Sequence, residues 1–184
     1  MQKADYIDIL LDPFFRILVL SKYIFELHLP KVQILYFLTT NKHSPMATIN
    51  LKRIDDDYQF VTTDETGQTL TLDIPVDQGG HGNGVRPMQA LLSALGGCSG
   101  VDIVMILKKQ KETIEVLEME INGERQVGKE PALWETIHIV FKFKGTMTKE
   151  RAEKACALSI DKYCSVAATL IAAGAKITWT VEML

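Results

Sequence analysis

From residue 47 onward, apolar and polar positions change over in short runs set apart by turn residues. Residues 47–53 and 57–63 alternate loosely on either side of Asp55, Asp56 and Asp57, which predicts a strand, a turn and a strand. Thr66-Gly67 marks a second turn, and Leu70, Leu72 and Ile74 share one face of a third strand. Residues 75–87 hold Pro75, Gly79, Gly80, Gly82, Gly84 and Pro87, which is the composition of a loop.

The period then lengthens. Leu91, Leu95, Cys98, Val101 and Met105 recur at spacings of three and four, which predicts one buried face of a long helix from Pro87 to about Lys111. Proline suits the first helical position and the closing lysines suit a helix C-terminus. Gly96-Gly97 costs about 1 kcal/mol per glycine relative to alanine. Such a pair implies either close approach to the backbone near Cys98 or tight packing between helices.

Val116–Asn122 and Thr136–Lys144 read as two further strands, the second with Ile137, Ile139, Phe141 and Phe143 on one side. Thr148 resembles a helix N-cap, and a helix from Lys149 to about Tyr163 would place Ala152, Ala155, Cys156 and Ser159 together. Ser165 is the expected cap of a short helix, Val166 to Ala173, that Gly174 ends. Lys176–Val181 is a last strand. Strand hairpins parted by helices, without repeated βαβ units, predict an α+β domain with helices on one face of an antiparallel sheet.

Residues 1–45 follow a different pattern. All 12 glycines lie beyond them, yet seven of the 14 aromatic residues fall within them. The chain is therefore divided into an N-terminal extension, 1–45, and a domain, 46–184. An amphipathic appendage and an added helix are two readings of the extension. A mis-assigned start is favoured over either, because Met46 opens what reads as a natural first strand. Val32 to Thr40, the most apolar stretch, is shorter than the roughly 20 residues that span a bilayer, so no membrane association is expected.

Composition adds limits. Of 184 residues, 47% are apolar and 23% charged, the balance of a soluble globular protein. A net charge of −3 without a Lys/Arg cluster gives nucleic acid no evident footing. The Gly-rich loop at 79–84 lacks the Gly-Lys-Ser/Thr ending of a phosphate cradle, and no cofactor is expected. His28, His43, His81 and His138 show no ligand spacing with the cysteines, so no metal is expected either.

Three cysteines are too few for a disulfide-stapled secreted scaffold, and Asp5, Asp8 and Asp12 stand where a signal peptide would be basic. A reducing, cytoplasmic setting is expected, where a cysteine pair is more often redox-active than structural. A cysteine on an apolar helix face is still more often inert packing than a nucleophile. Cys98 and Cys164 each sit on or beside a helix, far apart in sequence, so any contact between them must be made by the fold. Cys156 lies in a stripe of alanines and reads as a small core residue. Asp102 follows Cys98 by one turn and would raise its pKa unless a cation intervened; Arg86 is the nearest candidate in sequence.

Two strings carry more information than their spacing. Arg86-Pro87-Met88-Gln89-Ala90-Leu91-Leu92-Ser93-Ala94-Leu95-Gly96-Gly97-Cys98-Ser99-Gly100-Val101-Asp102 and Asp161-Lys162-Tyr163-Cys164-Ser165-Val166 resemble the two signature segments of the OsmC/Ohr superfamily. The resemblance covers about residues 46–184. It implies an OsmC-like α+β fold, with antiparallel sheets packed on a long central helix in an intertwined homodimer. It implies a thiol peroxidase of the oxidative stress response, reducing organic hydroperoxides, with Cys98 at the peroxidatic position and Cys164 at the resolving one. A lipoyl-type or thioredoxin-like dithiol would recycle the disulfide.

The sequence departs from that pattern in places. Met88 and Gln89 stand where branches of the superfamily carry a glutamate that orients a catalytic arginine, and Arg53 is only a possible match for that arginine. A weakly catalytic or non-catalytic redox-sensing dimer is therefore the alternative, and a structural dimer with inert thiols the third reading.

Overall fold

A computed structural model describes residues 46–184. The N-terminal extension and its start-site reading concern residues outside that span. Thr48–Leu184 form one compact unit.

The first three strands are β1 (Asn50–Arg53), β2 (Phe60–Thr63) and β3 (Thr69–Leu72). They form an antiparallel meander, β1-β2-β3. The aspartates between β1 and β2 make the expected turn: Asp55 Oδ1 accepts the backbone N–H groups of Asp57 and Gln59 at 3.1 and 3.0 Å. Leu51, Phe60 and Leu70 of this sheet are exposed.

The glycine loop that follows is built on a buried carboxylate. Asp73 accepts the N–H groups of Ile74, His81 and Asn83 at 2.7, 3.2 and 3.0 Å. Gly80 is required there, since a Cβ would lie 2.1 Å from the Ile74 carbonyl oxygen.

Helix α1 (Pro87–Lys109) begins at the expected proline and ends two residues before the expected limit, with Gln110 as its C-cap. Its buried residues are Leu92, Leu95, Gly96, Ser99, Gly100, Ile103 and Leu107. This corrects the expected face. Leu95 is buried, but Leu91, Val101 and Met105 are exposed. The buried stripe runs through small residues, because strand β4 (Ile114–Arg125) passes close beside them. A Cβ on Gly96 would meet Ile121 Cδ1, and one on Gly100 would meet Met119 Cε, each at 2.8 Å. The same atom on Gly97 would meet nothing. Close approach to the helix backbone thus accounts for the first glycine of the pair but not the second.

Strands β4 and β5 (Trp134–Gly145) form a long antiparallel hairpin, and both outrun their expected limits. Ile137, Ile139, Phe141 and Phe143 of β5 are all buried, as their alternation predicts. Strand β6 (Lys176–Met183) completes the sheet in the order β4-β5-β6. It pairs with β5 in parallel, so the sheet is mixed and not wholly antiparallel. The long helical connection from β5 to β6 is what makes a parallel return possible.

That connection holds α2 (Lys149–Leu158), a π-helical turn (Ser159–Tyr163) and α3 (Ser165–Ala172). Thr148 caps α2, as expected. The helix stops five residues early, where the chain widens into the π turn. Ala152, Ala155, Cys156 and Ser159 are buried together, and α2, the π turn and α3 all pack on α1.

Candidate active site

The π turn delivers Cys164 to α1. Such single turns recur at functional sites because they displace the following residue from helical register. The Cys164 N–H donates to the Ser159 carbonyl oxygen at 2.8 Å, and the backbone then turns to an extended conformation at Cys164. Cys164, and not Ser165, is the N-cap of α3: its Sγ accepts the Ala167 N–H at 3.4 Å. The expected hydroxyl cap is therefore corrected. Ser165 instead places its Oγ 4.0 Å from Cys98 Sγ.

Cys98 and Cys164 meet. Their sulfurs and one carboxylate oxygen of Asp102 lie within 4.8 Å of one another. Cys164 is buried and Cys98 half-buried. Burial alone would raise the Cys98 pKa, but hydrogen bonds from the Cys164 thiol, the Val166 N–H and the Ser165 hydroxyl outweigh it and hold the thiol below its ordinary value. The N-terminus of α3 thus takes the stabilising part that a cation plays elsewhere. Asp102 works against it, since its negative charge raises the same pKa. Burial, followed by the hydrogen bond to Cys98, pushes the Cys164 thiol up to about 11.

The two sulfurs therefore differ in kind. One is a partly exposed thiol biased toward thiolate, and the other a buried thiol biased toward its proton. An electrophile that oxidises the first leaves the second in place to condense with it.

Asp102 is held by Ser159, whose buried Oγ lies 3.2 Å from Asp102 Oδ2 and 3.3 Å from the Ser99 carbonyl oxygen. Nothing in the sequence singles out this serine as the carboxylate's partner, because the two lie on separate helical segments. Arg86, the suggested cation, is the N-cap of α1. Twelve helical residues at 1.5 Å each put it about 18 Å from Cys98 along the axis. It lines a separate cavity of about 510 Å³ with Gln89, Arg125 and Trp134. Arg53 donates to the Asp56 carbonyl oxygen at 3.3 Å. Cys156 is fully buried, and burial, aided by Glu153, pushes its thiol to about 12, which suits a core residue.

An apolar groove of about 490 Å³ lies between α1 and β4, lined by Gly97, Val101, Met105, Leu117 and Met119 among others, and Cys98 is not part of its lining. The two sulfurs are donors that soft metal ions accept, whereas the Asp102 carboxylate suits harder ones. A second group joins loops the sequence reading kept apart: His81 Nε2 lies 3.0 Å from Asp57 Oδ2 and 3.6 Å from Asp55 Oδ2. That spacing equally suits a plain ion pair.

Similar proteins share this arrangement of elements. A crystal structure of a hypothetical protein from Aquifex aeolicus VF5 superposes with a TM-score of 0.62 at 30% identity, covering 75% of this chain and 97% of that one. The organic hydroperoxide resistance protein OsmC of Legionella pneumophila gives 0.60 at 16% identity, covering 77% and 99%, a likeness of fold alone. Protein YhfA of Escherichia coli (strain K12) is 39% identical over 85 residues, 46% of this chain and 63% of that protein. The OsmC-like protein family model matches residues 80–180, more than half of the chain and both cysteine segments. On that match, the chain belongs to the OsmC-like protein family.

Proposed function

We propose that the chain is a thiol-dependent peroxidase for organic hydroperoxides. The observation that carries this reading is the contact between a thiol biased toward thiolate, Cys98, and a buried partner thiol, Cys164. In the first step, the Cys98 thiolate attacks the terminal oxygen of the hydroperoxide. The O–O bond breaks, the alkoxide leaves and takes a proton, and Cys98 becomes a sulfenic acid. In the second step, Cys164 attacks the Cys98 sulfur. The S–O bond breaks, water leaves, and a Cys98–Cys164 disulfide remains. The sulfurs need only close from under 4.8 Å to the bond length of about 2.05 Å. An external dithiol, lipoyl-type or thioredoxin-like, then reduces the disulfide.

The name of the Legionella protein, which shares the fold, points to organic hydroperoxides as the substrate class. The working form is a homodimer in a reducing compartment such as the cytoplasm. The exposed apolar residues of the β1–β3 sheet and of α1 support a second copy covering them.

A specific observation favours the redox-sensing alternative. The charged group acting on Cys98 within this chain is a carboxylate, Asp102, which opposes thiolate formation. Slow oxidation without efficient turnover would follow from that.

Turnover of cumene hydroperoxide with a dithiol decides between them, read alongside mass mapping of the disulfide after one equivalent of peroxide. Wild type should turn over and form the Cys98–Cys164 bond. Cys98→Ser should do neither, and Cys164→Ser should stop at the sulfenic acid. Disulfide formation without turnover selects the sensor, and turnover that survives in Cys98→Ser overturns both readings.

A further inference from the structure

Resolution of the sulfenic acid has a proton problem that the peroxidase reading leaves open. Cys164 must lose a proton to attack, yet its burial favours the protonated thiol. The oxygen leaving Cys98 must gain a proton, because hydroxide is a far poorer leaving group than water. The titratable groups gathered at this point are Cys98 and Asp102 from α1 and Cys164 from the end of the π turn. Among the described residues no Lys, Arg or His forms a salt bridge with Asp102.

Asp102 is placed for this transfer. A carboxylate oxygen lies within 4.8 Å of both sulfurs. The Ser159 hydroxyl holds Oδ2 at 3.2 Å, which fixes the group at the junction of the two segments. The position has a cost, since a negative charge beside Cys98 works against the first step.

We propose that Asp102 is the proton relay of the resolving step: it takes the Cys164 thiol proton as the S–S bond forms and delivers it to the oxygen departing from Cys98. The balance closes without another reagent. The S–O bond breaks and the S–S bond forms. Cys164 is oxidised and the Cys98 sulfur reduced, and the relayed proton leaves in the water molecule. This inference rests on the peroxidase reading and adds a role to a residue that reading does not use.

The test separates the two steps in the full chain. After one equivalent of cumene hydroperoxide, sulfenic acid is trapped with dimedone and disulfide is followed by mass, for wild type, Asp102→Asn and Asp102→Glu. Asparagine keeps an oxygen that accepts from Ser159 but cannot carry the proton. In Asp102→Asn, sulfenic acid should form at least as fast as in wild type and then accumulate. Its disulfide should form roughly 100-fold more slowly, the scale of a lost general acid–base group. That rate should recover at alkaline pH, where Cys164 ionises unaided. Asp102→Glu should restore much of the rate at neutral pH.

A disulfide rate in Asp102→Asn equal to wild type overturns the relay. So does equal slowing in the Asn and Glu variants with no recovery at high pH, which would make Asp102 a positioning residue only. Sulfenic acid formed at the wild-type rate or faster in Asp102→Asn also shows that the Cys98 site has folded. Absence of both sulfenic acid and disulfide in wild type overturns the peroxidase reading itself, and the relay with it.

Discussion

The Ser159 hydroxyl lies 3.2 Å from Asp102 Oδ2, and this contact ties the turn that carries Cys164 to the helix that carries Cys98. Ser159 is fully buried, and its oxygen also reaches the Ser99 carbonyl. Ser159→Ala should lower stability by about 1 kcal/mol, the usual net worth of one buried hydrogen bond. It should also widen the spread of positions open to Cys164. Urea unfolding measures the first effect, and the rate of Cys98–Cys164 bond formation after peroxide measures the second. An unchanged rate would show that the π turn positions Cys164 without this tether.

Reaction with iodoacetamide should rank the three thiols. Cys98 should be modified first, with a pH midpoint below that of an unperturbed cysteine, because its thiolate is stabilised by hydrogen bonds at the start of α3. Cys164 and Cys156, held up at about 11 and about 12, should stay intact at neutral pH until the chain unfolds. Mass mapping after partial alkylation between pH 6 and 9 reads the order. Cys164 reacting before Cys98 would reverse the roles assigned here.

Cys156→Ala should leave peroxide oxidation and the Cys98–Cys164 bond untouched. It should change how stability responds to alkali. With its folded-state pKa raised to about 12, Cys156 keeps its proton where an unfolded thiol, at about 8.5, loses one. Its contribution is thus complete below about pH 8.5 and lost as pH rises toward 12. Removing it should flatten the alkaline fall in stability by about 1.4 kcal/mol per pH unit. Urea unfolding under reducing conditions at pH 9 and pH 10 gives the slopes.

Val101 is 62% exposed and Met105 52% exposed on the face of α1 turned away from its buried stripe. A second copy covering this strip should be expelled by charge. Val101→Glu should weaken self-association at least tenfold, roughly 1.4 kcal/mol, since a carboxylate would be buried without a partner. Sedimentation equilibrium of wild type and variant compares them. An unchanged association constant would place the interface elsewhere.

The sequence spoke clearly where large side chains do the packing. Ile137, Ile139, Phe141 and Phe143 announced the buried face of β5, and Ala152, Ala155 and Cys156 that of α2. It misled on α1, where hydrophobicity and burial part company. Gly96, Ser99 and Gly100 are buried because they let β4 come close, while bulkier Val101 and Met105 point away. The meeting of Cys98 with Cys164 was legible only through the resemblance of two strings, since no local rule links segments so distant in the chain. The sulfur cap of α3 escaped notice because cysteine is not a usual capping residue. The parallel seat of β6 escaped because alternation says which side faces inward and nothing about strand direction.

That parallel seat also bears on how the protein is made. β6 is the final strand, and the Leu184 N–H reaches the Phe143 carbonyl at 2.7 Å. A growing polypeptide cannot seat this strand until Lys176–Met183 has left the ribosome, and the crossover that presents Cys164 is closed only when it docks. Cys98 therefore emerges from the ribosome well before its partner has a place to stand, and for that interval it is an unguarded thiol. In that interval Cys98 lacks the hydrogen bonds that lower its pKa, and any sulfenic acid it does form has no partner to close it into a disulfide.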